Sequence, residues 1–321
     1  MVDLSLVLWA AIPPLLLLGY YYCRIPFAPP LLKLLIFFVF GAISGILALS
    51  LEWIFESVAN SVVNWDGVKR SLPGIALRQL IEIGPIEEGC KLAAVLIPIN
   101  LQRRYRLHLS SVLILTIAVA LGFTAEENWI YLFHGTASIF ERTIGTPVHA
   151  MFSAPWGYAL GMYISSKTGN QNKKFIFRAW LNSVICHAVV NVLSSAWGYS
   201  LPLRFLSYGF FPFLLWMFWR LEQLLRKVQR KPPIILISGY TLQQRYWQRS
   251  LVLFALVLGG NAIFGLFLLA RIVSPLNPST LLSYEILWFI LTRILLNLFF
   301  GFLAWGIYRY LRRIARRRYF Y

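Results

Sequence analysis

Acid is what this sequence is shortest of. Its 321 residues carry 12 aspartates and glutamates against 30 lysines and arginines, and the only aspartates are Asp3 and Asp66. Neither lies in an apolar stretch, which excludes chemistry run by a pair of intramembrane aspartates. No Gly-x-Ser-x-Gly elbow occurs, which argues against a serine nucleophile of that type, and no His-Glu-x-x-His string occurs, which argues against the zinc site built on it. Cysteine is scarce too: Cys23, Cys90 and Cys186 follow no disulfide or metal spacing and read as small apolar packers. Long polar segments are missing. The longest connections, 52–78 and 220–249, are too short to be domains, no fixed-period repeat is visible, and nothing resembles the paired broken helices of an inverted-repeat transporter.

What is present in excess is apolar side chain. With 59% hydrophobic and 13% charged residues, the chain holds more than a soluble domain of this size could bury, so its solvent is lipid. Apolar stretches near the roughly 20 residues needed to cross a bilayer fall at 4–22, 31–51, 79–99, 111–133, 144–165, 179–199, 203–219, 250–270 and 284–307. The expected fold is an all-α polytopic membrane protein of about nine transmembrane helices. The formal charge of +18 is parcelled into short loops, without a basic face interleaved with exposed aromatics, so no nucleic-acid partner is expected.

Basic residues alternate from loop to loop. One side holds Arg24 and Lys33, then Arg103, Arg104 and Arg106, then Lys167 to Arg178, then Arg220 to Arg249, then Arg309 to Arg318; the other holds only Lys69, Arg70, Arg78, Arg142, Arg204 and Arg271. The positive-inside rule then places the amino terminus outside and the carboxyl terminus in the cytoplasm. The Arg312–Arg318 tail reads as an anchor at an anionic leaflet.

Ionisable groups in hydrocarbon cost at least a few kcal/mol, so each needs a partner or a purpose. The third span holds Glu82, Glu87, Glu88 and Lys91, the fourth Glu126, Glu127 and Asn128, the fifth His149, and the sixth His187 and Asn191. At 1.5 Å per residue, Glu87 and Glu88 lie roughly 12 Å below the outer edge, and Glu127, His149 and His187 fall at similar levels. Glu87 and Lys91, Phe123 and Glu127, and His187 and Asn191 are each four apart and share helix faces. Glu87 and Glu88 point about 100° apart, so one of them is expected to face the chemistry.

The strings Glu87-Glu88-Gly-Cys-Lys91, Gly122-Phe-Thr-Ala-Glu126-Glu127-Asn128 with Tyr131, His149-Ala-Met-Phe-Ser-Ala-Pro-Trp-Gly157, and His187-Ala-Val-Val-Asn191 resemble the PrsW family of intramembrane proteases, related to CAAX prenyl proteases and bacteriocin-processing enzymes. The resemblance covers about 72–200. It implies a catalytic membrane core of spans three to six over 72–200; the span pattern leaves N-terminal helices and an outer loop over 1–71 and accessory helices with a basic tail over 201–321. The resemblance further implies that Glu87 or Glu88 activates water, His149 and His187 polarise the carbonyl or orient a carboxylate, Asn191 donates to the oxyanion and Glu127 positions a histidine or shares a proton. The implied substrate is a membrane-spanning or membrane-tethered protein, such as an anti-sigma factor, in a bacterial cytoplasmic membrane.

No cofactor is certain from sequence. Two histidines with glutamates are also an ordinary zinc ligand set, so zinc stays open, as does the oligomeric state. Lys91 is expected to be a charge partner, Arg78 and Glu82 a helix-surface pair, Glu126 a packing or water contact, His108 and His134 solvated, and Arg293, Glu285 and Asn297 a structural grouping. Two other functions fit the same polar inventory: an ion-coupled transporter with a carboxylate and histidine proton relay, and a non-catalytic membrane scaffold.

Overall fold

The computed structural model describes residues 4–101, 107–166, 173–274 and 276–319; the loop cations Arg103, Arg104, Arg106 and Lys167 lie outside them. Among the described residues every regular element is a helix. Seven stretches are long and apolar enough to cross a membrane: Leu4–Arg24, Leu31–Val62, Leu109–Phe133, Lys173–Gly198, Leu201–Val228, Leu242–Val273 and Tyr284–Arg317. The other two expected spans are helical as well, but they carry the polar residues. Gly84–Leu101 holds three charges in 18 residues, and Pro147–Ser165 carries His149 among three alanines and two glycines.

The chain divides into two compact units, Met1–Val192 with Arg220–Lys231, and Leu193–Trp219 with Pro232–Tyr321. In the first, α6 (Leu109–Phe133) is the axis. Its residues Val112 to Leu115 and Ile117 to Leu121 are fully buried, as expected of a helix apolar all round. It is jacketed by α1 (Leu4–Arg24), α2 (Leu31–Val62), α5 (Gly84–Leu101) and α8 (Pro147–Ser165). Lipid offers no hydrophobic drive between helices, so close approach of small residues does the packing. Gly122 of α6 lies against the backbone of Phe38 on α2, and a Cβ there would overlap the Phe38 carbonyl; Gly41 of α2 meets Val119 in the same way.

Helix α2 runs eleven residues beyond its expected end at 51, because Trp53, Ile54, Phe55 and Val58 continue its apolar surface. The anticipated long loop is thereby shortened, and Glu52 and Glu56 become helix residues. Two short helices follow, α3 (Trp65–Val68) and α4 (Leu72–Arg78); α4 widens into a π turn, Gln79–Ile83, before α5. This corner is knitted by charge. Lys69 bridges Glu56 (2.7 Å) and Asp66 (2.8 Å), and its hydrogen bond holds the Asp66 carboxyl below its ordinary range. Arg78 reaches Glu56 and Glu82, and the Trp65 indole donates to Glu82 at 2.7 Å. The Arg78–Glu82 pair is thus present, but Glu82 is wholly buried rather than on a helix surface.

Short helix α7 (Ile139–Gly145) leads into α8, and α9 (Lys173–Ser195) follows. Past the short α10 (Leu201–Arg204), α11 runs Phe210–Val228. Its last turns return to the first unit, where Glu222 receives two bonds from Arg24 (2.8 and 2.9 Å) and Gln229 donates to the Arg24 carbonyl.

The second unit is built on a hairpin of α12 (Leu242–Val273) and α14 (Tyr284–Tyr319), with α13 (Pro278–Leu281) between them. Gly265 lets the Asn297 side chain approach α12, and the Asn297 amide donates to the Arg293 carbonyl at 2.8 Å. Arg293 lies over the Phe289 ring rather than on Glu285.

Candidate functional site: a lysine-centred cluster of carboxylates and imidazoles

Lys91 is the hub. Completely buried on α5, its ammonium donates to Glu87 Oε2 (3.1 Å) and Glu88 Oε1 (2.9 Å), lies 2.9 Å from His149 Nδ1, and rests 3.9 Å from the centre of the Phe123 ring. Two carboxylates in a low-dielectric interior need such a counter-charge, because either alone would carry an uncompensated desolvation cost.

The two adjacent glutamates differ sharply. Glu88 is fully buried and saturated: its second oxygen accepts from the Ser153 hydroxyl (3.0 Å) and the Trp156 indole (2.9 Å), both on α8. Glu87 retains 12% exposure, and both imidazoles turn toward its Oε2, His149 Nδ1 at 3.9 Å and His187 Nε2 at 3.8 Å. Both glutamates lie near an imidazole, Glu88 Oε1 at 3.9 Å from His187 Nδ1, and of the pair Glu87 is the one that keeps exposure.

His149, in the first turn of α8, has its ring state set by its neighbours. An ammonium only donates, so Nδ1 accepts from Lys91 and the proton sits on Nε2, which donates to Glu127 Oε2 at 2.8 Å. His187, on α9, is 1% exposed, stacks on Phe152 with ring centres 4.6 Å apart, and has its Nδ1 without a hydrogen-bond partner, 3.9 Å from Glu88 Oε1. Asn191, one turn beyond His187, donates to Gln79 Oε1 at 2.8 Å. The structure therefore gathers Glu87, Glu88, Glu127, His149 and His187 into one network. Asn191, one turn from His187, bonds to Gln79 of the π turn.

Several partners were not singled out from sequence. Ser153 and Trp156 stand four and seven residues after His149, on one face of α8, a spacing that could have marked them. Glu52, reached because α2 is longer than expected, has Glu87, Arg78, Glu82 and Lys91 as electrostatic neighbours. Arg142, read only as a loop cation, donates to Glu127 and Asn128. Cys90 is buried as expected of a packer, Cys186 is buried with the Arg220 guanidinium 3.6 Å from its sulfur, and Cys23 is exposed rather than packed. Glu126 is buried against Gly45 of α2, with one oxygen unpartnered.

The donor types would suit a metal, but their arrangement does not. Among the described residues no three His, Cys, Asp or Glu side chains converge as a metal site requires. Both His149 nitrogens are engaged, and the Lys91 ammonium already lies within 3.1 Å of three of the donors a cation would use.

Residues 29–217 match the family described as "PrsW family intramembrane metalloprotease". Protease PrsW of Clostridioides difficile (strain 630) is 27% identical over 204 residues, 60% of this chain and 79% of that protein. Protease PrsW of Oceanobacillus iheyensis is 28% identical over 194 residues, 59% of this chain and 83% of that protein. No solved structure matches. The matched segment is more than half of the chain and contains every residue of the Lys91 network, and on that basis the chain belongs to the PrsW family of intramembrane proteases.

Proposed function

We propose that this protein is a glutamate-dependent intramembrane endopeptidase in which Glu87 is the general base. The observation that supports this reading is the one partly exposed glutamate of the pair, Glu87, with His187 Nε2 3.8 Å from its Oε2 and a buried lysine that offsets its charge. In the proposed reaction Glu87 takes a proton from water and the hydroxide adds to the scissile carbonyl. The developing oxyanion receives hydrogen bonds from His187 and from the amide of Asn191, and the C–N bond then breaks as the proton held on Glu87 passes to the leaving amine. Glu88 anchors Lys91 to α8. Glu127 holds His149, which in turn braces Lys91.

The proposed substrate is a membrane-spanning or membrane-tethered protein, with a single-span anti-sigma factor as the leading candidate. The proposed setting is a bacterial cytoplasmic membrane, amino terminus outside. A metal ion, implied by the family's description as metalloproteases, is tested for by metal analysis. A donor set held by Lys91 predicts purified protein without stoichiometric metal and cleavage indifferent to a chelator; loss of cleavage restored by zinc would replace the glutamate mechanism with a metal one. The direct test is Glu87→Gln in liposomes with a single-span reporter substrate. Cleavage should fall by at least about 100-fold, the usual scale of general-base loss, and wild-type rates would refute the assignment.

A further inference from the structure

We infer that Arg142, on the surface helix α7, is a positioning residue that fixes the Glu127 carboxylate on His149 and so aligns the imidazole against Lys91 and Glu87. This rests on the protease reading above.

No residue of helix α7 is fully buried; most are half-buried, and the helix packs against α1. Its start is fixed by a reciprocal cap, Glu141 N–H to Ser138 Oγ (3.2 Å) and Ser138 N–H to Glu141 Oε2 (2.9 Å), and the Thr146 hydroxyl donates to the Arg142 carbonyl at 3.0 Å. From this backbone the guanidinium reaches the last turns of α6 and makes three contacts there. Nη2 donates to Glu127 Oε2 (2.7 Å), Nε donates to Asn128 Oδ1 (2.7 Å), and the plane lies 4.5 Å from the centre of the Tyr131 ring. Asn128 is itself fully buried and tied to the Ala10 carbonyl of α1.

The oxygen that Arg142 grips is the one that accepts the proton of His149 Nε2. A glutamate side chain has three free torsions, and Glu127 is 24% exposed; with the fork in place one of its oxygens is pinned at the imidazole. A lysine carries the charge but cannot make the two-pronged contact with Glu127 and Asn128. Removing the fork lets Glu127 swing into solvent, His149 loses its acceptor, and the ring is free to turn away from Lys91. The effect on the reaction passes through orientation, where about 1 Å of misplacement costs on the order of 100-fold.

The test uses the full chain in liposomes with a single-span reporter substrate, beside nitrogen-15 NMR of labelled imidazoles, the His149 signal being assigned with His149→Gln. Arg142→Ala should lower kcat by about 10- to 100-fold with KM within about 2-fold, and Arg142→Lys should recover part of it. Added guanidinium should restore cleavage in Arg142→Ala while leaving Glu87→Gln inactive. The His149 signal should move in Arg142→Ala toward its position in Glu127→Gln. Unchanged kcat, or lost cleavage with the His149 signal unmoved, overturns the inference. If the wild type cleaves nothing but the His149 signal moves as stated, the positioning claim stands and the protease reading fails. Should Arg142→Ala not fold, Arg142→Lys, which keeps the charge, carries the same two readouts.

Discussion

Glu87 and Glu88 are covalent neighbours with separate duties, and substitution should pull those duties apart. Glu88→Gln leaves Lys91 with a weakened counter-charge and two α8 donors facing a neutral amide. Breaking a buried ion pair costs about 3–5 kcal/mol, so the expected outcome is a marked drop in melting temperature in detergent. Ser153→Ala removes one donor of three and should cost about 1.5–3 kcal/mol, the range for a hydrogen bond to a charged group. Glu87→Gln should melt near the wild type while losing cleavage. Equal melting of the Glu87 and Glu88 variants would remove the distinction between them. The helix-face relation of Glu87 to Lys91 was legible in the sequence because it is local. The identity of the outward glutamate was not, since it depends on Ser153 and Trp156, 65 and 68 residues further on.

At the scale of the element, helix contacts turn on where a side chain has room. Gly122→Leu would drive a side chain into the Phe38 carbonyl and part α2 from α6; small residues at such crossings set the distance between helices. Glu127 sits just over a turn further along α6, so stability in detergent and cleavage should both fall. Gly89 provides the contrast. A Cβ there meets nothing within 4 Å, so Gly89→Ala, although inside the Glu87–Lys91 motif, should keep cleavage and gain up to about 1 kcal/mol from helix propensity. Loss of cleavage in Gly89→Ala would mean the motif needs glycine for a reason other than space. Most helices were readable from apolar run length. The extension of α2 was not, because Glu52 and Glu56 break the run while Trp53, Ile54 and Val58 continue the helix as exposed apolar residues. The π turn also escaped, because a local widening leaves no signature in residue type.

Over the whole molecule, the loop charges predict an orientation that a reporter can test. At the end of α14, Arg309, Arg312, Arg313 and Arg316 line one face beside Trp305 and Tyr308, an aromatic and basic border of the kind that holds a helix end at a membrane surface. A carboxyl-terminal fluorescent fusion should glow in the cytoplasm and a phosphatase fusion there should be inactive. Replacing those four arginines with glutamine should produce a mixed population; an active phosphatase on the unaltered chain would invert the topology. The same long-range wiring bears on how the protein is made. When α5 leaves the ribosome it carries Glu87, Glu88 and Lys91, and the α8 side chains that complete their shell emerge 65 residues later. At about 5–20 residues per second that interval is roughly 3–13 s, during which Lys91 can already pair with Glu87 and Glu88 inside α5, while the second oxygen of Glu88 lacks its Ser153 and Trp156 donors. Entry of α5 into lipid is therefore predicted to be less costly once α8 has arrived.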